Sequence, residues 1–378
     1  MTNLRTIVSL KEISALQWNA CAAATGQPYN PFTSHEFLAA LENSGSATAK
    51  TGWAGSHLIL EDAGQIVGVA PCYLKSHSMG EYVFDHAWAD AFARAGGQYF
   101  PKLQVSVPFT PATGSRLLAA TTANRAILAQ GLVALCGEFN ASSVHITFLT
   151  EQEATESKWL HRNDIQFHWM NQDYKNFDEF LGSLSSAKRK NIRKERKSLV
   201  EMGVKFEGVT GDDLRESHWD SFYEFYIDTG SRKWGQPYLT RKFFRLIHET
   251  MAKDVLLVLA KREGRTIAGA LNFIGGDALY GRNWGRSENH PNLHFETCYY
   301  QAIDFAIARG LKRVEAGAQG EHKLARGYIP VKTHSLHYLA HSGLSRAVAD
   351  YLEHERRAID ENQQALAEHT PFKHEERE

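Results

Sequence analysis

Four stretches of the chain gather residue types that could move a proton or hold an anion. The first, EYVFDHAWADAFARAGGQYFPKLQ from Glu81 to Gln104, sets Glu81, Asp85, His86, Asp90 and Lys102 among Tyr82, Trp88 and Tyr99. Carboxylates among aromatic rings lose water, which raises their pKa and suits Asp85 and Asp90 to general-base work. The alternative for this stretch is hydrogen bonding inside a loop. The second, GAQGEHKLARGYIP from Gly317 to Pro330, follows a strand and carries Gln319, Glu321, His322, Lys323 and Arg326. Charge converging at the open edge of a sheet is where a ligand enters, with Glu321 and His322 as proton-transfer candidates; a loop capped by its own charges is the other reading. The third, KRKNIRKERK from Lys188 to Lys197, has seven basic residues in ten. On a helix it would dock through Ile192 and Leu199 and offer Arg189, Arg193 and Arg196 to phosphates, or stand as a solvated face. The fourth, RNWGRSENHPNLHFET, contributes Arg282, Arg286 and His290 as donor-binding candidates.

Other chemistries lack their motifs. None of the 18 histidines sits in H-E-x-x-H, and His334 and His337 fall on opposite faces of an expected strand, so no metal site is expected. G-x-S-x-G, a Walker loop and G-x-G-x-x-G are all missing. Cys21, Cys72, Cys136 and Cys298 are too scattered for a zinc knuckle or a disulfide framework and read as core thiols. A net charge of −1 removes any whole-protein attraction for nucleic acid or an anionic membrane, so an anion site must be local. No run reaches the ~18 apolar residues of a membrane span, and the N-terminal sequence lacks a signal peptide's apolar region. A cytoplasmic protein without a membrane span is expected.

The elements that must position these residues occur twice. Pro31 to Leu41, PFTSHEFLAAL, matches Pro237 to Ile247, PYLTRKFFRLI: a proline entry, then a capped amphipathic helix. Thr33 and Glu36 form a capping-box pattern in the first copy. HLILEDAGQIVGVAPCYL from His57 and VLLVLAKREGRTIAGALNFI from Val255 each read as an antiparallel hairpin. Each half then closes with a helix and a strand. An α/β fold with mixed α+β sheets follows: an N-terminal half over residues 1–165 with an inserted loop at about 75–116, a C-terminal half over 166–342 carrying a basic helix at 187–202, and a C-terminal amphipathic helix and tail over 343–378.

Hairpin, strand YGRNWG, helix and strand VEAGA stand in the order of the GNAT (acyl-CoA N-acyltransferase) fold. With NPFTSHEFLAALENSG, HSMGEYVFDHAWADAF, YFPKLQVSVPFTP, KRKNIRKERK and EAGAQGEHKLARGYIP, the chain resembles the Gram-negative FemAB-like family, named for peptidoglycan biosynthesis or recognition, within the GNAT superfamily. The resemblance implies two tandem GNAT-like halves and an acyltransferase of the aminoacyltransferase or N-acyltransferase class. Such an enzyme moves an acyl or aminoacyl group onto a small-molecule or peptide amine, such as a cell-wall precursor. No tightly bound cofactor is implied; aminoacyl-tRNA or acyl-CoA would be a co-substrate, with a tRNA contact in the first case. The Q/R-x-x-G-x-G/A turn that cradles a pyrophosphate at a helix start is missing from RNWGRSENHPNLHFET, which favours the aminoacyl donor. An acetyl-CoA-dependent N-acetyltransferase and a non-catalytic ligand-recognition module are the alternatives.

Overall fold

A computed structural model of the chain describes residues 2–233, 237–317 and 320–373. Two compact units emerge, one of residues 1–164, 238–243 and 332–361, the other of 165–237, 244–331 and 362–378. Residues 343–378, set apart in the sequence as a third segment, divide between them.

The first unit holds β1 (Asn3–Ile7), α1 (Ala15–Ala23), α2 (His35–Asn43), β2 (Trp53–Gly55), β3 (His57–Asp62), β4 (Gln65–Ala70), β5 (Cys72–Lys75), α3 (His86–Arg94), β6 (Lys102–Val105), β7 (Leu118–Ala119), α4 (Thr122–Glu138), β8 (Ser143–Leu149) and α5 (Glu151–Thr155). The first hairpin is β3–β4, extended by β1 and β7 into an antiparallel sheet. The inserted loop expected at 75–116 is part of the framework rather than an appendage: β6 pairs antiparallel with β5 and parallel with β8. Its residues Leu103 and Val105 are buried with Leu58, Leu128, Leu132, Val144 and Ile146, and that burial fixes the strand.

The capping box expected at Thr33 and Glu36 does not form. Thr33 ends a 3-10 turn, and Ser34, extended at φ −68° and ψ 151°, caps α2 by accepting from the Phe37 amide at 3.2 Å. Glu36 instead accepts from the Asn19 side chain at 2.9 Å. In the second copy Thr240 accepts from the Phe243 amide at 3.3 Å, so proline-to-cap spacing repeats along with the residue types.

The second unit takes the end of β9 (Leu160–Met170), then α6 (Phe177–Ser183), α7 (Ser186–Glu201), β10 (Lys205–Thr210), α8 (Glu216–Lys233), most of α9 (Arg241–Met251), β11 (Val255–Arg262), β12 (Arg265–Ile274), β13 (Ala278–Arg286), α10 (Leu293–Phe295), a π-turn (Glu296–Tyr300), α11 (Gln301–Ala308) and β14 (Arg313–Glu315). Strands β10 to β13 form an antiparallel meander; β14 then pairs parallel with β13 and antiparallel with β9. Trp169, Phe180, Val258, Leu279, Ile303 and Val314 build the core between this sheet and α6, α7 and α11. On the other face α8 approaches β13 so closely that a Cβ on Gly285 would stand 2.2 Å from the Phe225 carbonyl oxygen. The last elements are β15 (Tyr328–Leu339), antiparallel to β8 over its C-terminal part, and α12 (Ser342–Glu368). Among the described residues no helix is long and apolar enough to cross a membrane.

Candidate active site

Strands β13 and β14 separate almost as soon as they meet. Their ladder joins Ala278–Tyr280 to Arg313–Glu315. Beyond it β13 stays on β12 as far as Arg286, while the other chain turns away through Gly317, whose φ is +74°. The β12–β13 register skips Arg282, a bulge that increases twist at the parting point. Among the described residues no strand pairs with Gly281–Gly285 on the β14 side, so the ladder opens there. Backbone amides left unpaired where strands part are strong, preorganised partners for a carbonyl oxygen.

Helix and loop side chains flank this opening. The π-turn adds a residue to the helix, an irregularity common at functional sites, and here Tyr299 and Tyr300 are both buried. The Tyr299 hydroxyl lies 3.0 Å from Nε2 of His322, which rides on a 3-10 helix, Glu321–Arg326. His294 joins them to the open strand, its ring 4.5 Å from Trp284 and 5.2 Å from Tyr299. Gly320, at φ +109°, permits the close lie of His322: a Cβ there would meet the imidazole at 2.3 Å.

Two cations pin the loop. Lys323 Nζ donates to the carbonyls of Ala316 at 2.6 Å and Gly317 at 2.9 Å. Arg326 donates to the His322 carbonyl at 2.8 Å and to Glu195 at 2.9 Å, with its guanidinium 3.3 Å from the Phe295 ring centre. Glu195 also accepts from the Tyr300 hydroxyl. Burial lowers the Lys323 pKa to about 8. Partial burial, then the Arg326 and Lys323 charges, push the His322 imidazole below its usual value, which keeps a ring nitrogen available for a proton.

The turn from β13 into α10 is occupied by its own ion pairs. Glu288 takes His290 at 2.6 Å and Arg262 at 3.3 Å, with Arg265 at 3.7 Å, and Arg286 donates to the Asn289 side chain. A carboxylate at this helix entrance opposes the negative charge of a pyrophosphate.

The family model for peptidoglycan biosynthesis/recognition proteins matches residues 9–374. The chain belongs to the FemAB-like family. Comparison with curated proteins finds no significant match. Among solved structures, FemX aligns over 89% of this chain and 98% of its own at 13% identity, with a TM-score of 0.56. L-PGS from Bacillus licheniformis aligns over 86% and 98% at 10% identity, TM-score 0.51. The C-terminal domain of a putative lysylphosphatidylglycerol synthetase from Agrobacterium fabrum aligns over 89% and 96% at 8% identity, TM-score 0.51. At these identities the likeness speaks for the fold: the FemAB-like chain is an α/β protein with mixed sheets, similar to these acyltransferase-type folds along its length, and carries a C-terminal helix.

Of the expected site residues, the FemAB-like fold brings His322, Lys323 and Arg326 together in the second unit, beside the opening that starts at the Arg282 bulge. Gln319 lies outside the described residues, and Glu321 is described only as backbone of the 3-10 helix. The basic helix α7 docks through Ile192 and Leu199 as expected, but its arginines are already engaged. Arg196 turns inward to Glu296 at 3.0 Å and Asp304 at 2.7 Å. The reason is periodicity: Arg196 follows Ile192 by four residues and precedes Leu199 by three, on the buried stripe. Arg193 pairs with Asp178 at 2.9 Å, and Arg189 approaches the Gly182 carbonyl at 3.5 Å. Lys190, Arg193, Lys194 and Lys197 are the exposed basic positions of the helix.

Asp85 and Lys102 meet in the first unit, while Asp90 is exposed on α3. Lys102, 0% exposed, donates to Ser78 at 2.8 Å, Glu81 at 2.6 Å and Asp85 at 2.5 Å. Lys75 stands directly across the β5–β6 ladder, 3.6 Å from Glu81 and 3.5 Å from the Trp53 ring centre. Burial lowers its pKa to about 7. Asp85 also accepts from Tyr99 at 2.7 Å, and behind it His145 and His337 share an Nδ1–Nδ1 contact of 2.7 Å. The raised pKa expected for Asp85 is corrected: burial acts upward, but Lys102 and His145 hold it well below the usual carboxylate range. Glu81, where burial dominates, is the carboxyl that rises. Among the described residues no group of histidine, cysteine and acidic side chains could hold a metal ion.

Sequence reasoning passed over Tyr299, Tyr300, Glu195 and Lys75. Tyr299 and Tyr300 look like core residues of a helix, and a single turn of π geometry leaves no motif. Glu195, the one acid within the basic run, was the available signal.

Proposed function

We propose that this FemAB-like chain transfers an acyl or aminoacyl group from an activated donor to a small-molecule or peptide amine in peptidoglycan-related chemistry. The observation that carries the reading is the opening between β13 and β14 with the Tyr299–His322 pair on its flank. The main chain of β13 beyond the ladder would polarise the donor's carbonyl, and burial would hold Tyr299 protonated as the acid for the leaving atom. His322 would return that proton. Glu195 and Arg326 fix the His322 backbone, and Lys323 fixes the loop end at Ala316 and Gly317.

Glu288 at the helix entrance favours an aminoacyl-tRNA donor over coenzyme A, whose pyrophosphate would need that turn. The cytoplasm supplies such a donor. Purified protein should move labelled aminoacyl or acyl groups from a panel of aminoacyl-tRNAs and acyl-CoAs to lysine- and alanine-terminated peptide amines, and His322→Ala should lower kcat by about 100-fold. Neither turnover nor binding across the panel would overturn the reading; binding without turnover, indifferent to His322→Ala, would make the chain a recognition module.

A further inference from the structure

One buried pair at the root of the opening lacks a function in the scheme above. His168 of β9 and Glu315 of β14 face each other across the antiparallel ladder and are 4% and 3% exposed. His168 Nε2 stands 3.8 Å from Glu315 Oε2, beyond hydrogen-bond reach, and both atoms are buried with no partner. Buried polar atoms are almost always paired, because an orphan costs about 1–3 kcal/mol. Two orphans at this separation are satisfied together by one small polar atom within hydrogen-bond distance of both. The other carboxylate oxygen, Oε1, is held by Arg313 Nε at 2.9 Å, and Arg313 is anchored on Asp277 at 2.6 Å, so the pair is fixed from behind.

Glu315 occupies the last rung of the β13–β14 ladder, opposite Tyr280; the next residues of β13 line the opening. An atom held by the pair lies at the last rung of the ladder, one residue along β13 from the stretch that no strand of the described residues pairs on the β14 side. We propose that His168 and Glu315 dock and deprotonate the acceptor's amine nitrogen. The proposal rests on the transfer reading for the identity of the step, but the site itself stands on the geometry of the two orphaned atoms. Glu315 Oε2 calls for a hydrogen-bond donor, which an amine supplies, and His168 Nε2 on the other side is placed to take a proton from it. The charged groups acting on His168 are Glu315 and Arg313 on β14 and Lys323 on the 3-10 helix. Burial is the largest influence and lowers its pKa, Arg313 and Lys323 add to this, and Glu315 opposes it. With its proton on Nδ1, the imidazole keeps a lone pair on Nε2.

The step balances. An ammonium R–NH3+ gives one proton to His168 Nε2, and the freed nitrogen lone pair forms the C–N bond at the donor's carbonyl carbon. The bond from that carbon to the ester oxygen or thioester sulfur then breaks, its electron pair leaving with the oxygen or sulfur. The second nitrogen proton is lost after attack and reaches the leaving atom through Tyr299 and His322. The products are an amide, an alcohol or thiol, and a proton that returns to solvent from His168.

The test uses the full chain labelled with 15N-histidine, the His168 signal being assigned by its loss in His168→Gln. Methylammonium chloride should shift the His168 Nε2 resonance; tetramethylammonium chloride, which has the charge but no N–H, should not, and neither should shift it in Glu315→Gln. An equal response to both salts, or none, would mean a water site only and overturn the proposal. In the transfer assay His168→Gln and Glu315→Gln should each lower kcat by about 100-fold with the donor KM unchanged. Transfer by the wild-type chain with kcat retained in both variants would overturn the proposal while leaving the transfer reading intact. A methylammonium-specific shift in a chain that transfers nothing would support the amine site and refute the transfer reading.

Discussion

Replacing Lys102 with methionine should unfold the β5–β6 region of the first unit by an amount the structure sets. The ammonium makes three hydrogen bonds, two of them to carboxylates at 2.6 and 2.5 Å, and no part of it is exposed. At an effective dielectric near 20 a unit pair at 2.6 Å attracts by about 6 kcal/mol. Desolvation of the charges offsets much of that, and breaking a buried pair from one side costs about 3–5 kcal/mol net. Lys75, 3.6 Å from Glu81, is too weakly placed to replace the lost charge. The pH dependence supplies a second check. In the wild-type chain Asp85 has a depressed folded pKa, so its contribution is present above its unfolded value of about 3.9 and lost as the pH falls toward the folded one. Without Lys102, burial is opposed only by the weaker pull of His145 on Asp85 and of Lys75 on Glu81, and the folded pKa values rise above the unfolded ones. The variant therefore loses stability as the pH rises from about 4 to 7. Hydrogen exchange of β5 and β6 peptides across a urea series should show a deficit of about 3–5 kcal/mol at pH 7 and a smaller one at pH 4.5. A deficit under about 1 kcal/mol at pH 7, or one that does not grow with pH, would refute the reasoning.

Gly285→Ala should force α8 off β13, because its Cβ meets the Phe225 carbonyl oxygen at 2.2 Å; a loss of about 1–3 kcal/mol in denaturation of the second unit is expected. Ser34→Ala and Thr240→Ala should each cost about 1 kcal/mol, and similar losses in helix-resolved hydrogen exchange would show that the two caps are equivalent. Arg196→Ala leaves Glu296 and Asp304 without their cation and should cost about 2–4 kcal/mol, whereas Lys194→Ala, on the outer face of α7, should change urea stability by less than about 0.5 kcal/mol.

Local pattern carried the repeated helix entries, the two hairpins and the placement of α7, because proline, a cap and apolar periodicity act over a few residues. The site was less legible for reasons that are physical. Arg196 reads as one more surface cation until the helix phase is counted from Ile192. Asp85 was assigned the wrong direction of shift because Lys102, 17 residues away, outweighs its aromatic surroundings. His168 and Glu315 are separated by 147 positions and meet only through strand pairing; their trace in the sequence is a polar residue inside each of two buried runs, QFHWM and RVEAG. Glu195 was visible as an acid in a basic run, but what it accepts from lies in the π-turn and at the end of the 3-10 helix, more than 100 positions away.

The tandem pattern in the sequence invites cutting the protein in two, and the chain course says where that would fail. A fragment ending at Asp164 would lack residues 238–243, including Phe243, whose ring packs on Phe37 at 5.6 Å, and Tyr238, which stacks on Phe109 at 4.6 Å. It would also lack His334–Leu339, leaving β8 with a bare hydrogen-bonding edge next to the buried row Val144 and Ile146. Such an edge is adhesive, so the separate fragment should precipitate or pair with itself. Supplying the remainder as a second polypeptide should restore it, which makes the break after Asp164 a place for reassembly from two pieces rather than for an autonomous half.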